Sequence, residues 1–181
     1  MDDPIPPGDP VSHVDVPFPP ATPIPGRYTH LEPLSTSHTD DLFKHLGGPS
    51  NAAIWTFLPM SAPGTRDAMA SIVERWTSRG GADPQYFAVL SGPADSSTPV
   101  EAVGVICYAA VFPEHRRLEV AWVVFGSALQ RTRQATEVFY LMLERAFSLG
   151  YSRLEWKANS LNAPSLSAAA RLGFTSEGIF R

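Results

Sequence analysis

The run Val120-Ala121-Trp122-Val123-Val124-Phe125 is apolar at every position. A strand with one wet face alternates apolar and polar side chains, so an unbroken run predicts a central strand covered on both faces. From about residue 131 the period turns helical: Ala135, Val138, Phe139, Met142, Ala146 and Leu149 share one stripe, and Gly150 closes it. A buried strand feeding an amphipathic helix restricts the chain to a sheet with helices packed on its faces.

The flanking segments fit that frame. Residues 85–90 and 102–112 read as strands with a Gly/Pro/Asp/Ser turn between them, and 116–125 makes a third in succession, a meander. Upstream, 27–34 reads as a strand. Ser37 is then an N-cap, with Asp40 and Asp41 in the first turn of a helix that carries Leu42, Phe43 and Leu46 and stops at Gly47 and Gly48. A loop rich in aromatics and proline (Trp55, Phe57, Pro59, Met60, Pro63) leads to a helix over 65–79 with Met69, Ile72, Val73 and Trp76 at helical spacing. Downstream, 153–158 is a strand, 164–172 a helix closed by Gly173, and 174–180 a last strand, a pattern that predicts a parallel crossover. The order β α α β β β α β α β is mixed α/β (α+β). With 44% hydrophobic and 18% charged residues, 26–181 has the side chains for one domain.

Residues 1–25 differ, holding nine prolines and almost no periodicity. Such a segment is expected to be extended and disordered, outside the fold. Its prolines at 4, 7 and 10, and again at 17, 20 and 23, line one face of a polyproline II helix, so docking into an aromatic groove of an adaptor is an alternative role.

Charge narrows the function. The first 26 residues hold four Asp and no Lys or Arg, whereas the body balances 14 of each sign, which argues against a nucleic-acid or membrane-surface binder. Residues 114–181 nonetheless carry nine Lys or Arg against six acids, a local excess suited to an anionic ligand. The single cysteine, Cys107, excludes an intrachain disulfide framework and a cysteine zinc cluster, and its apolar surroundings predict a buried, inert thiol. His13, His30, His38, His45 and His115 show no ligand spacing, so no metal is expected. No apolar stretch reaches the roughly 18 residues of a bilayer span, and no secretory leader pattern opens the chain, so a cytoplasmic protein is expected. Phosphate-loop, dinucleotide, zinc-protease and serine-hydrolase signatures are absent.

What remains is the junction where the apolar strand becomes a helix, Gln130-Arg131-Thr132-Arg133-Gln134-Ala135-Thr136. Free N–H groups at a helix start, with Arg131 and Arg133 beside them, suit a pyrophosphate. Every helix has such an end, so the feature gains meaning only beside two others. These are Glu119-Val120-Ala121-Trp122 on the strand, and Asn162-Ala163-Pro164-Ser165 placed before Arg171-Leu172-Gly173-Phe174. Together with the turn they give residues 26–181 a resemblance to the GNAT N-acetyltransferase superfamily, in its RimJ/RimL-like branch that acetylates ribosomal-protein N-termini.

The resemblance implies a central mixed sheet flanked by helices and direct acetyl transfer from acetyl-CoA to a primary amine, without a covalent enzyme intermediate. Pantetheine would lie between the strands at 116–125 and 153–158, with an N–H near Val123 or Val124 holding the oxyanion. Glu119 is the candidate base; the competing reading is a strand-edge carboxylate paired with Arg116 or Arg117. By the motif match Ser165 protonates the leaving thiolate, or else it is a first-turn serine satisfying helix N–H groups; Asn162 bonds pantetheine, caps the helix, or both. Three departures stand out. Arg133 and Ala135 occupy the family's two glycine positions in the turn, and Ala169 replaces the tyrosine that many members use as acid. The chain also stops short of the family's last strand, so the edge of 174–180 is expected to be open and to favour self-association. An alternative to the enzyme is a catalytically impaired CoA-binding or scaffold remnant of the same fold.

Overall fold

The structure, a computed structural model, describes Gly8, residues 14–78 and residues 80–181. Six strands form one sheet in chain order: β1 (Ile24–Pro25), β2 (His30–Pro33), β3 (Gln85–Leu90), β4 (Ala102–Phe112), β5 (Arg117–Phe125) and β6 (Arg153–Glu155). Neighbours are antiparallel except β5 and β6, which are parallel, because the helix between them carries the chain back along the sheet. The sheet is therefore mixed, as expected. That crossover helix is α3 (Arg133–Ser148), and its predicted stripe is the buried one. It covers one face of the sheet, where Val138, Phe139 and Met142 meet Leu31, Phe87, Ile106, Leu118 and Val120. The other face is covered by α1 (Thr39–Leu46) and α2 (Arg66–Thr77), which bring Leu42, Leu46, Met69 and Val73 onto Ala88, Val105, Cys107 and Val124. Cys107 is wholly buried there, and burial pushes its thiol pKa well up.

Several expectations change. Residues 14–25 are part of the body: Val16 and Ile24 are buried, and β1 pairs with β2. Proline lacks an N–H but keeps its carbonyl, and those carbonyls are what the body takes. Tyr151 Oη donates to Pro17 O (3.1 Å), Gln85 Nε2 to Pro19 O (2.8 Å) and Arg145 Nη2 to Pro20 O (2.8 Å). The prolines at 4, 7 and 10 lie outside the described residues. The first helix is entered through a 3₁₀ turn, Thr36–His38, with Ser35 rather than Ser37 at its N-cap position. β2 begins only at His30 because the preceding N–H groups of Arg27, Tyr28 and Thr29 are taken by the Glu137 carboxylate of α3 (2.8, 2.6 and 2.9 Å).

No strand forms at 174–180. After α4 (Ala163–Arg171) the chain wraps its own helix end through Phe174 N–H to Ala169 O (3.0 Å), and Arg153 grips Glu177 with two bonds (2.8 and 2.6 Å). Ile179 and Phe180 are about four-fifths exposed (81% and 84%), with no strand beside them to pair with. The edge on which the self-association expectation rested is not there. Nor is β5 the strand sealed on both faces. That is β3, buried at all six positions, while Ala121, Trp122 and Val123 of β5 are half-buried.

Candidate active site

The half-buried stretch of β5 has two causes. The first is a bulge: between the pairs Val105↔Val124 and Cys107↔Ala121, β4 advances two residues and β5 three. Trp122 absorbs the extra residue in the left-handed region, at φ 49°. The second is the short partner. β6 accompanies β5 only from Arg117↔Arg153 to Glu119↔Glu155, so beyond Glu119 the strand has a sheet neighbour on the β4 side alone. The end of pairing leaves a wedge between β5 and the chain leaving β6, flanked by the half-buried Ala121, Trp122 and Val123.

At its wide end lies the turn into α3. Gln130 Nε2 donates to Phe125 O (2.8 Å), and Thr132 caps the helix, its Oγ1 accepting from Ala135 N–H (3.1 Å) and donating to Leu129 O (2.6 Å). Thr136 N–H returns to Thr132 O (3.4 Å), and Ala135 is buried. Among the described residues the N–H groups of Arg131, Thr132, Arg133 and Gln134 meet no acceptor, which leaves four donors at a positive helix end. Arg131 adopts a left-handed φ of 59°. Arg133 opens the helix, so its N–H keeps the helical direction, and its guanidinium lies over the Tyr28 ring at 4.9 Å. The side chain at the family's glycine position is thus taken up elsewhere.

Across the wedge, Asn162 caps α4 by accepting from Ser165 N–H (3.2 Å). The capping duty therefore falls on Asn162, and Ser165 Oγ is left to accept the indole N–H of Trp156 (3.0 Å). A hydroxyl has one proton, and an indole can only donate. The Ser165 proton meets no acceptor among the described residues and remains available.

Glu119 pairs with neither Arg116 nor Arg117. Arg116 Nε donates to Gly150 O (3.0 Å) and Arg117 sits over the Phe112 ring (4.0 Å). Glu119 Oε2 instead accepts from Lys157 Nζ (2.5 Å), which also reaches Glu155 Oε2 (3.0 Å). Partial burial pulls the Lys157 ammonium down, but its bonds to the two carboxylates outweigh that and raise its pKa. The Lys157 hydrogen bond, and after it that of Arg153, holds the Glu155 carboxyl below its usual range. Adjacent residues thus secure the two candidate catalytic groups: Trp156 holds Ser165 and Lys157 holds Glu119. Neither holder stood out in the sequence, although a Trp whose N–H lies only part-buried beside a strand end invites the question of what it bonds.

The two groups lie on opposite sides of the sheet. Leu118 and Val120 point into the α3 core, so Glu119 between them points to the α1–α2 face; Trp156 packs on the α3 core through Phe139, their centroids 5.3 Å apart. On the α1–α2 face a cavity of about 400 Å³ opens beside Trp122, with Trp76 and Tyr86 as its other aromatic walls, Pro59, Met60 and Pro84 around them, and Arg75 as its one charged lining residue.

Residues 29–175 match the family model described as an acetyltransferase (GNAT) domain. Among solved structures, a GCN5-related N-acetyltransferase from Brucella melitensis is 31% identical, with a TM-score of 0.83 over 92% of this chain and 73% of that one. A protein from Chromobacterium violaceum described as a probable acetyltransferase of the GNAT family is 32% identical, with a TM-score of 0.84 over 98% of this chain and 86% of that one. An acetyl transferase from Salmonella typhimurium, which modifies the N-terminal serine of ribosomal protein L7/L12, shares the fold at 16% identity, with a TM-score of 0.66 over 86% of each chain. Comparison with the curated proteins finds no match. The match over residues 29–175 and the two structures above 30% identity agree with the open strand, the bare turn and the capped α4 of this chain, which belongs to the GNAT acetyltransferase family.

Proposed function

We propose that the protein transfers an acetyl group from acetyl-CoA to a primary amine by direct attack, with Glu119 as base and Ser165 as acid. The observation that carries this reading is the wedge beside β5, which has free N–H groups at its wide end and a candidate proton carrier on each face. Acetyl-CoA supplies the activated acyl group, and the residues present fit it. Arg131, Thr132, Arg133 and Gln134 offer backbone donors to the pyrophosphate, Gln134 and Thr136 bound the turn, and Ala135 keeps it close to the sheet. Asn162 sets the start of α4. The backbone N–H near Val123 or Val124 is the donor for negative charge developing on the carbonyl oxygen.

Base and acid on opposite faces suit the chemistry. An amine entering from the α1–α2 face gives its proton to Glu119, and the sulfur leaving on the α3 face takes one from Ser165. An amine with an ordinary pKa is largely protonated at neutral pH, so an acceptor for that proton contributes directly to rate. The test is release of free thiol from acetyl-CoA against a panel of amines. Turnover that is lost in Glu119→Gln and Ser165→Ala, while acetyl-CoA still binds, supports the reading. Tight binding with no turnover on any amine favours the remnant instead.

A further inference from the structure

The cavity beside Trp122 carries information about the acceptor. Strand alternation places Glu119 and Ala121 on the α1–α2 face, so residue 122 in a regular strand would point into the α3 core. The bulge reverses this and keeps Trp122 on the face of Glu119. A bulky side chain at φ 49° is held there against local strain, which clusters at working sites. Its ring completes a corner. Trp76 stacks on Tyr86 with centroids 4.8 Å apart and planes 12° apart, and Trp122 meets both edge-on at 5.4 and 6.2 Å. Trp76 and Tyr86 are buried behind, so the corner is rigid.

Charge in the cavity is one-sided. Burial pushes the Tyr86 phenol up, so it stays neutral. No carboxylate lines the space, and Arg75 is its one cation, making no ion pair within 4 Å with a described carboxylate. A polyamine would find no carboxylate on the cavity wall to hold its second charge, Asp83 acting on the Tyr86 phenol from outside the lining, and a hydrophilic peptide would strand its polar groups against proline and aromatic walls. A volume of about 400 Å³ suits a small molecule. Glu119 lies three residues along the strand from Trp122, at most roughly 10 Å of extended backbone.

Building on the function proposed above, we propose that the acceptor is a small primary amine on a flat apolar body that also bears a carboxylate, the chemistry of an aromatic amino acid. Its ring lies against Trp122 and its carboxylate meets Arg75. Glu119 takes one proton from the ammonium, the freed amine bonds the acetyl carbon, the thioester C–S bond breaks and the sulfur takes the Ser165 proton, and the second proton that the nitrogen sheds on becoming an amide restores the serine hydroxyl through solvent, leaving an N-acetyl amino acid and CoA.

Four probes test this: L-phenylalanine, 2-phenylethylamine, spermidine and a peptide beginning with serine. Each is used in the thiol-release assay and in titrations of the protein's own tryptophan fluorescence, which reads all four tryptophans without turnover, the cavity's share being the part of the change that Trp122→Ala removes. L-Phenylalanine is expected to be the best substrate, about ten-fold ahead of 2-phenylethylamine for want of the charged pair, and about 100-fold ahead of spermidine and the peptide. Arg75→Gln, at an exposed position, should shrink the first ratio to under about three-fold. Trp122→Ala should cut L-phenylalanine kcat/KM by about 30-fold with acetyl-CoA affinity kept. Spermidine or the peptide matching L-phenylalanine, or a ratio unmoved by Arg75→Gln, would overturn the proposal. If L-phenylalanine perturbs the fluorescence and nothing is acetylated, the cavity assignment stands and the catalytic reading fails. If acetyl-CoA binds and L-phenylalanine neither perturbs nor reacts, the cavity assignment fails.

Discussion

The two halves of the sheet are held together by different forces. On the β3 side every residue of the strand is buried and α1 and α2 close over it; on the β6 side the last strand is three residues long and no residue of α4 is buried. What supplements the partial packing of Leu154, Trp156 and Leu172 in the second half is a set of specific bonds: Asn162 to Ser165, Trp156 to Ser165, Lys157 to Glu119, Arg153 to Glu177. Burial resists change through packing, whereas such bonds can be exchanged for bonds to a ligand. The site therefore sits where the fold has least to lose from admitting one.

The largest expected effect falls on the packed half. Phe87 is wholly buried, with its ring centroid 6.0 Å from that of Tyr108, and Phe87→Ala should cost about 3–5 kcal/mol by denaturant unfolding. Leu166→Ala on α4, where the side chain is 45% exposed, should cost under about 0.5 kcal/mol. Equal losses at the two positions would erase the contrast.

On the open half the same order of free energy should appear as rate instead. In the proposed mechanism Ser165→Ala removes a proton donor needed only in the transition state, so kcat should fall about 100-fold with little change in the Michaelis constant for acetyl-CoA. Its melting temperature should stay close to that of the parent, since Asn162 holds the cap. A fall under about three-fold would return Ser165 to a purely local role.

Smaller effects sharpen the picture of how the site is held. Trp156→Phe keeps a ring against Phe139 and Phe174 but deletes the N–H that orients Ser165. A loss of about ten-fold in kcat is expected, and none beyond that of Ser165→Ala when the two are combined, because the indole acts only through the hydroxyl. Replacing Arg131 and Arg133 together with Glu should weaken CoA about ten-fold, or 1.4 kcal/mol, by calorimetry. With Arg133 over Tyr28, most of that loss is expected from Arg131.

The same contrast explains what could be read from the chain. The α3 stripe and the Met69, Ile72, Val73, Trp76 face of α2 were legible because periodicity records which way a side chain faces. The turn and α4 were legible as motifs, since their bonds are local, as with Asn162 and Ser165 three residues apart. Trp156 and Lys157 were not legible, because each works on a partner that only the fold brings near. Two errors share a cause. Nine prolines argue against helix and inner strand, yet say nothing about carbonyls that others can use. Likewise an all-apolar run reports that β5 avoids water, but a strand left half-buried beside a gap in the sheet leaves the same record as one sealed on both faces.

Acid and alkali should separate the halves with the least disturbance. On the packed side Cys107 has a pKa raised well above 9.0 by burial, so the unfolded chain ionises first. Its contribution is whole below about pH 9 and declines as pH rises from there toward the native value, by at most about 1.4 kcal/mol per pH unit. Lys157 on the open side is raised from 10.5, so its share persists further and is lost only as pH climbs past that. At the acid end the open side contributes through Glu155, lowered from 4.5 chiefly by the Lys157 hydrogen bond. A lowered carboxyl stabilises the fold above its unfolded value and loses that as pH falls through the native one. Unfolding free energy measured from pH 6 down to pH 3 should therefore decline less steeply in Glu155→Gln than in the parent, by under about 1 kcal/mol given the solvent around the pair. Cys107→Ala should leave that acid limb unchanged while flattening the alkaline one between pH 9 and 10. If Glu155→Gln leaves the acid limb as steep as the parent's, the ion pairs of the open half are not what holds it.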